Sequence, residues 1–281
     1  MPVKSIGLVD KSFRHHPLST VPGSTSKFIK WNRDTPFSEQ YVCFTNENII
    51  DETRFEVARE RRIALLYESR DTMRWLYKKS EEYISDYYLF FTHEKKLLEA
   101  FPNTIWIPGN GIWIGNSYGK GDFAISPKDR MVSLVTSSKQ TTSLQRFRVK
   151  LAKEFELDRE NEIDVYLRSS NAFDYIPISL CLQRYRFSII IENTQSPSYF
   201  TEKLLNCFAT GTVPIYLGAT EIDRFFDANG IIPFSSRKQL RQEILPNLSE
   251  ELYSSKLSSI KTNFKLSENY ESIEKVIASH L

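Results

Sequence analysis

A run of polar and charged residues between Glu192 and Lys203 has the composition of an anion-binding site. The apolar residues 187–191 predict a buried strand, and Glu192 follows directly at its carboxyl end. Thr201 can cap the helix predicted after it, and Glu202 and Lys203 fall in the first turn of that helix. A lysine there is unfavourable unless an anion lies beside it. By residue type alone an anion site and a solvated lysine are equal alternatives, and a diphosphate would supply the anion.

Strand and helix patterns alternate along the chain and would position this run at the edge of a sheet. In the first half we predict a first strand over residues 1–10, strands at 41–45, 62–67, 87–91 and 104–107, and helices at 51–61, 73–84 and 94–101. In the second half we predict strands at 131–136, 163–166, 187–191 and 213–217, and helices at 143–155, 201–209 and onward to Leu281. Such alternation is typical of parallel sheets covered by helices on both faces.

A segment rich in Asn, Ser, Gly and Lys, residues 115–128, separates the two halves and predicts a linker. We therefore expect an α/β protein of two Rossmann-like domains with parallel sheets, residues 1–125 and 126–281. The helices after Leu245 could pack back on the first domain. In such folds the ligand cleft lies at the carboxyl ends of the strands, between the two domains.

Composition excludes several other classes of protein. With 37 basic and 35 acidic residues, the net charge of +2 is too balanced for nucleic acid or an anionic membrane to be the main partner. No segment is long and apolar enough to insert in a bilayer, and the amino terminus lacks a signal-peptide core, so a soluble, cytoplasmic protein is expected. Three distant cysteines and four histidines do not predict a zinc site.

Residues 187–218 resemble the donor-binding signature of glycosyltransferase family 10, the α-1,3/1,4-fucosyltransferases. That signature is an apolar strand, Glu-Asn, Tyr-x-Thr-Glu-Lys and then Val-Pro-Ile-Tyr-x-Gly. The resemblance extends to residues 132–138, to Arg146 with Leu151 and to 163–166, and more weakly to 64–70, 91–98 and 107–114. Leu167 stands where the family usually has Gly, and Ser138 stands near its usual Asn. The resemblance implies the two-domain fold called GT-B.

Site roles follow from the resemblance at the matching positions. Arg146 and Lys203 would grip the diphosphate of a nucleotide sugar, in place of a metal ion. Glu202 would bind the ribose hydroxyls, and Glu192 would support the loop. The complete predicted donor set is Arg146, Glu192, Asn193, Tyr199, Thr201, Glu202 and Lys203. No Asp-x-Asp triplet occurs, so we expect no metal and no cofactor, and the nucleotide sugar is a co-substrate.

An inverting transfer requires a base that deprotonates the acceptor hydroxyl. Glu68 is the first choice, since it ends the strand predicted over residues 63–67. Glu47 is an alternative, because some family members carry a similar Thr-Gly-Glu-Asn sequence, and Asp71 is a third candidate. For the acceptor glycan, Trp113 could form a stacking platform and His93 is a weaker candidate.

The resemblance implies GDP-fucose as the donor and a glycan hydroxyl as the acceptor. One alternative is a UDP-xylose-dependent xylosyltransferase acting on a fucose-containing viral glycan, since short viral members of the family include enzymes with other donors. A second alternative is a non-catalytic protein that binds a nucleotide sugar or a glycan. The sequence carries no indication of the oligomeric state.

Overall fold

The protein folds into two units, each built on one parallel sheet. The structure, a computed structural model, describes residues 3–11, 13, 16, 18–158, 163–168 and 176–281. One unit comprises Met1–Gly111 together with Tyr270–Leu281, and the other comprises Ile112–Asn269. The division falls earlier in the chain than the boundary predicted after residue 125, and the last segment belongs to the first unit. Two parallel sheets with helices confirm the predicted α/β class.

The first unit carries six parallel strands in the order β2-β1-β3-β4-β5-β6. They are β1 (Lys4–Val9), β2 (Ile29–Asn32), β3 (Val42–Thr45), β4 (Arg62–Leu66), β5 (Leu89–Thr92) and β6 (Thr104–Trp106). Thr45 pairs with Leu65 and Leu66 with Thr92, so β3, β4 and β5 end together. The residues that follow these three strands therefore share one edge of the sheet. Helices α1 (Arg74–Tyr83) and α2 (Lys95–Ala100) connect the later strands.

The prediction of a helix over residues 51–61 is wrong. The structure has two short 3-10 turns instead, Glu52–Glu56 and Arg59–Arg61, separated by extended backbone at Val57. Val57 is 1% exposed and belongs to the apolar cluster that includes Ala64 and Leu66 of β4. The side chain of Asp51 accepts a hydrogen bond from Thr53 N and so caps the amino-terminal end of the first turn.

The second unit carries five parallel strands in the order β11-β10-β9-β7-β8. They are β7 (Arg130–Ser137), β8 (Ile163–Arg168), β9 (Tyr185–Ile191), β10 (Val213–Leu217) and β11 (Ile232–Pro233). The helices are α3 (Ser143–Leu157), α4 (Ile178–Leu182), α5 (Glu202–Thr210), α6 (Arg237–Gln239), which continues as a π-helical turn over Leu240–Ile244, and α7 (Glu250–Ser267). The central strands are apolar on both faces because helices cover both sides of a parallel sheet.

The last helix, α8 (Ile273–Ser279), completes the core of the first unit. Its Glu274 is fully buried and accepts hydrogen bonds from Thr20 N, Thr20 Oγ1, Ser19 Oγ and Trp31 Nε1 at 2.5, 2.6, 3.0 and 3.1 Å. A buried carboxylate is tolerated when its oxygens are satisfied in this way. Among the described residues, no helix is long and apolar enough to cross a bilayer.

A buried histidine fixes the turn that follows β4. His93 Nε2 lies 2.9 Å from Tyr77 Oη and 3.1 Å from the main-chain oxygen of Glu68, and Tyr77 Oη donates to that same oxygen at 2.6 Å. His93 is 2% exposed, and burial lowers its pKa from 6.5 to about 4. The ring is therefore neutral at physiological pH, and the main chain at Glu68 is held by α1 and β5.

The lowered pKa of His93 predicts a pH-dependent stability. His93 binds a proton near pH 6.5 in the unfolded chain and only near pH 4 in the folded chain. The folded state therefore loses stability as the pH falls through this window. Between pH 7 and 4.5 the unfolding free energy of the unchanged protein should fall by about 2 kcal/mol more than that of His93→Gln. Urea unfolding of both proteins at the two pH values measures the difference, and an equal fall in both would contradict the prediction.

Candidate functional site

A buried carboxylate joins the end of β9 to the start of α5. Glu192 is 0% exposed, and its Oε1 and Oε2 accept hydrogen bonds from Thr201 N at 2.9 Å and Thr201 Oγ1 at 2.8 Å. Glu192 N donates to Leu217 O at 2.9 Å, which extends the pairing of β9 with β10 by one residue. Thr201 is also the N-cap of α5, so one side chain fixes both the strand end and the helix start.

Lys203 brings a cation to the same point. Its Nζ lies 2.9 Å from Thr201 Oγ1, 3.1 Å from Glu202 Oε1 and 3.3 Å from Glu192 Oε2. Burial acts to lower the pKa of Lys203, but the carboxylates of Glu192 and Glu202 outweigh it and the pKa is raised. Burial raises the pKa of Glu192, and the Lys203 ammonium partly opposes that shift. Although three oxygens surround its ammonium, 23% of the Lys203 side chain remains exposed.

Arg148 is a second cation at this site, and sequence analysis missed it. It is 4% exposed on α3, and its guanidinium donates to Ile191 O at 2.5 Å and to Thr136 Oγ1 at 3.2 Å. Burial lowers its pKa, while the nearby carboxylates of Glu192 and Glu202 act in the opposite direction. The signal was available in the periodicity of α3, because Arg148 shares a helical face with the buried Gln145, Ala152 and Phe155.

The structure does not join Arg146 to this cluster through a hydrogen bond. Arg146 is exposed, and its Nη1 donates to Gln140 O at 3.0 Å and Thr141 O at 3.1 Å, close to the start of α3. It borders a groove of about 320 Å³ on the outer face of α3, lined by Gln140, Arg146, Val149, Lys150, Lys153, Glu154 and Leu157. A role for Arg146 at the diphosphate stays a prediction.

The remaining residues of the predicted donor set surround Glu192. Thr201 and Tyr199 are each 2% exposed and Asn193 is half-buried. Gly218, which follows β10, leaves room for two neighbouring side chains, because a Cβ at that position would clash with Tyr216 Oη and lie 2.7 Å from Glu192 Cγ. The glycine that ends the Val-Pro-Ile-Tyr-x-Gly segment is thus explained by the tyrosine of that segment together with the buried glutamate.

The three candidate bases all follow strands of the first unit. Glu47 lies in the 3-10 turn Asn46–Ile50 directly after β3, and Glu68 follows β4. Because these strands are adjacent and parallel, the two half-buried residues lie at the same edge of the sheet. Asp71, three residues beyond Glu68, forms an ion pair of 2.8 Å with Arg74.

The two candidate acceptor residues lie in different units. His93, in the first unit, is buried against Tyr77 as described above. Trp113 is half-buried in the second unit, where its main-chain N donates to Asn206 Oδ1 at 2.8 Å and its ring packs edge-on against Tyr118. Their contact with a glycan stays a prediction.

Comparison with curated proteins finds fucosyltransferases. An α-(1,4)-fucosyltransferase of Arabidopsis thaliana is 36% identical over 69 residues, which are 24% of this chain and 17% of that protein. A 3-galactosyl-N-acetylglucosaminide 4-α-L-fucosyltransferase of Bos taurus is 31% identical over 127 residues, 43% of this chain and 33% of that protein. The chain thus matches one third or less of the length of these relatives.

Solved structures share the fold. An α1,3-fucosyltransferase crystallised with GDP superposes with a TM-score of 0.53 at 13% identity, covering 97% of this chain and 92% of the other. The same kind of enzyme crystallised with GDP-fucose gives a TM-score of 0.53 at 12% identity, covering 96% and 91%. The predicted GT-B fold class is therefore confirmed.

The family model described as glycosyltransferase family 10 (fucosyltransferase), C-terminal part, matches residues 125–266. That match covers just over half of the 281 residues and includes the whole cluster around Glu192. The resemblance carried by residues 187–218 is thereby confirmed, and the chain belongs to glycosyltransferase family 10.

Proposed function

We propose that this protein is an inverting, metal-independent glycosyltransferase that transfers a sugar from a nucleoside diphosphate donor to a glycan hydroxyl. The observation that carries the proposal is the Lys203 ammonium, held in the first turn of α5 by the buried Glu192 and still partly exposed. Such a cation at a helix amino terminus is suited to a diphosphate group. The family description and the GDP-fucose bound by a structural relative favour GDP-fucose as the donor.

In the donor half of the reaction, the bond between the anomeric carbon and the phosphate oxygen breaks. Its electron pair leaves with the nucleoside diphosphate, and Lys203 stabilises the negative charge that develops there. Donor binding would exchange the Lys203–Glu202 ion pair for contacts of Lys203 with the diphosphate and of Glu202 with the ribose hydroxyls. Arg148 does not need to touch the donor, because it holds the ends of β7 and β9 through Thr136 and Ile191.

In the acceptor half, a carboxylate takes the proton of the attacking hydroxyl, whose oxygen bonds to the anomeric carbon on the face opposite the phosphate. Glu68 and Glu47 are the candidates at one sheet edge, and Asp71 is less suited because Arg74 pairs with it. The structure adds an argument for Glu47, since it follows Asn46, a buried residue with a φ of 41°. Strained backbone of this kind is concentrated at functional sites.

A donor panel tests the reaction class. GDP-fucose, GDP-mannose, UDP-glucose and UDP-xylose are each tested in the presence of a glycan acceptor. We expect GDP-fucose to raise the Tm and to support transfer, and we expect EDTA to change neither the Tm nor the transfer. Loss of transfer in EDTA would contradict metal independence. Transfer from UDP-xylose alone would establish the xylosyltransferase alternative. Binding of a donor without transfer would establish the non-catalytic alternative. No stabilisation by any donor would overturn the proposal.

Replacement of Lys203 tests the diphosphate grip. Lys203→Gln should lower kcat/KM for the donor by roughly 10²- to 10³-fold, because one charged contact to the leaving group is lost. Steady-state kinetics with GDP-fucose measure this, and the Tm shows whether the fold is retained. Lys261→Gln, at an exposed position of α7, removes an equal charge from the same unit and should leave the kinetics unchanged. If the Lys203 variant has the same kcat/KM for the donor as the control variant, Lys203 is excluded from the donor site.

Replacement of the carboxylates identifies the base. Glu47→Gln should reduce transfer by about 10²-fold or more while stabilisation by GDP-fucose is retained, because only proton removal is affected. Glu68→Gln and Asp71→Asn, measured in the same assay, are the comparisons. A loss of that size in Glu68→Gln with near-normal transfer in Glu47→Gln would return the role to the residue that the sequence favours.

A further inference from the structure

Asn46 links the two turns that carry Glu47 and Glu68. It is 0% exposed and follows the last residue of β3. Its Oδ1 accepts hydrogen bonds from Tyr67 N at 3.1 Å and Glu68 N at 3.3 Å. The register of β3 with β4 ends at Thr45 and Leu65, so this side chain continues the connection between the strands beyond the main-chain ladder.

The backbone of Asn46 is also unusual. Among the described residues, only Asn46 and Lys120 combine a side chain with a positive φ, at 41° and 46°. Asn tolerates the left-handed region better than most residues with a Cβ. The left-handed residue starts the 3-10 turn Asn46–Ile50 and so sets the direction in which Glu47 leaves the sheet. Glycine would allow the same backbone but would supply no oxygen to the turn that follows β4, so Asn serves both purposes.

The peptide groups around Glu68 are held from two sides. Asn46 accepts from its N–H, while Tyr77 Oη and His93 Nε2 contact its carbonyl oxygen at 2.6 and 3.1 Å. Contacts from β3, α1 and β5 therefore determine the course of the main chain at this residue. The main chain that carries the Glu68 side chain is thus held in place by three neighbouring parts of the unit.

We propose that Asn46 is a positioning residue for proton abstraction, orienting Glu47 through its left-handed backbone and Glu68 through its side-chain oxygen. This inference rests on the proposed transferase function. Neither Glu47 nor Glu68 lies within a regular strand or α-helix, so each needs support from neighbouring groups to keep a fixed distance from an acceptor hydroxyl. A displacement of about 1 Å at a reacting group costs on the order of 10²-fold in rate.

Three variants separate positioning from simple stabilisation. Asn46→Gly keeps the left-handed backbone and removes the two bonds to the turn after β4, and Asn46→Asp keeps both a tolerated backbone and an acceptor oxygen. Asn103→Ala is the matched control: its Nδ2 donates to Ile84 O and Tyr87 O, both at 3.0 Å, next to the amino-terminal ends of the strands of the same sheet. It removes two side-chain hydrogen bonds at a place away from the carboxylates.

We expect Asn46→Gly to lower kcat roughly 10- to 10²-fold with the KM for the donor unchanged, because only the geometry of proton abstraction is altered. Asn46→Asp should recover most of that kcat at a pH where its carboxyl is ionised. Asn103→Ala should lose stability and keep kcat. Steady-state kinetics with the best donor of the panel, together with the Tm of each variant, are the measurements.

Normal kcat in Asn46→Gly, with the unchanged protein active, would overturn the inference and leave the proposed function intact. A rise in donor KM, or a loss of kcat in Asn103→Ala equal to that in Asn46→Gly, would also overturn it, because each indicates a general effect on the fold. No transfer by the unchanged protein from any donor would overturn the proposed function and this inference together.

Discussion

The second unit depends on the hydrogen bonds between the carboxylate of Glu192 and Thr201. Burial of a carboxylate costs free energy unless its oxygens accept hydrogen bonds, and here one threonine donates to both of them. Because the same threonine caps α5, the helix cannot shift along β9 without leaving the carboxylate unpaired. Lys203 supplies the countercharge to this glutamate, and Gly218, which has no side chain, leaves space for it.

Charge at this cluster is balanced inside the protein. The Lys203 and Arg148 cations face the Glu192 and Glu202 carboxylates, and only Lys203 and Glu202 retain some exposure, with 23% and 14% of their side chains accessible. Under the proposed function, the exposed ion pair is the part that a ligand would reorganise. The buried charges of Glu192 and Arg148 are each held by hydrogen bonds of their own, Glu192 to Thr201 and Arg148 to Thr136 and Ile191. A preorganised site of this kind needs little rearrangement when charge develops on a leaving group.

Local patterns predicted much of the fold and part of the site. The apolar runs at residues 187–191 and 213–217 indicated buried parallel strands, and Thr201 indicated the start of α5, because caps and burial are local properties. The periodicity of α3 indicated that Arg148 is buried, but its hydrogen bonds to Thr136 and Ile191 depend on contacts with two strands. The 3-10 turns near Val57 and the bonds of Asn46 depend on contacts between strands, which no local pattern shows.

The division of the first unit into two chain segments has a consequence for how the protein is made. Glu274 repeats with Thr20 the arrangement that Glu192 has with Thr201, a carboxylate whose two oxygens take the N–H and the hydroxyl of one threonine. Its partner is more than 250 residues away in the chain. The ribosome therefore releases all of the continuous second unit before the first unit can complete its core. Until α8 emerges, the part of the first unit that is already synthesised exposes the apolar surface that α8 later covers. Although most of the first unit is synthesised before the second, it is completed after the second.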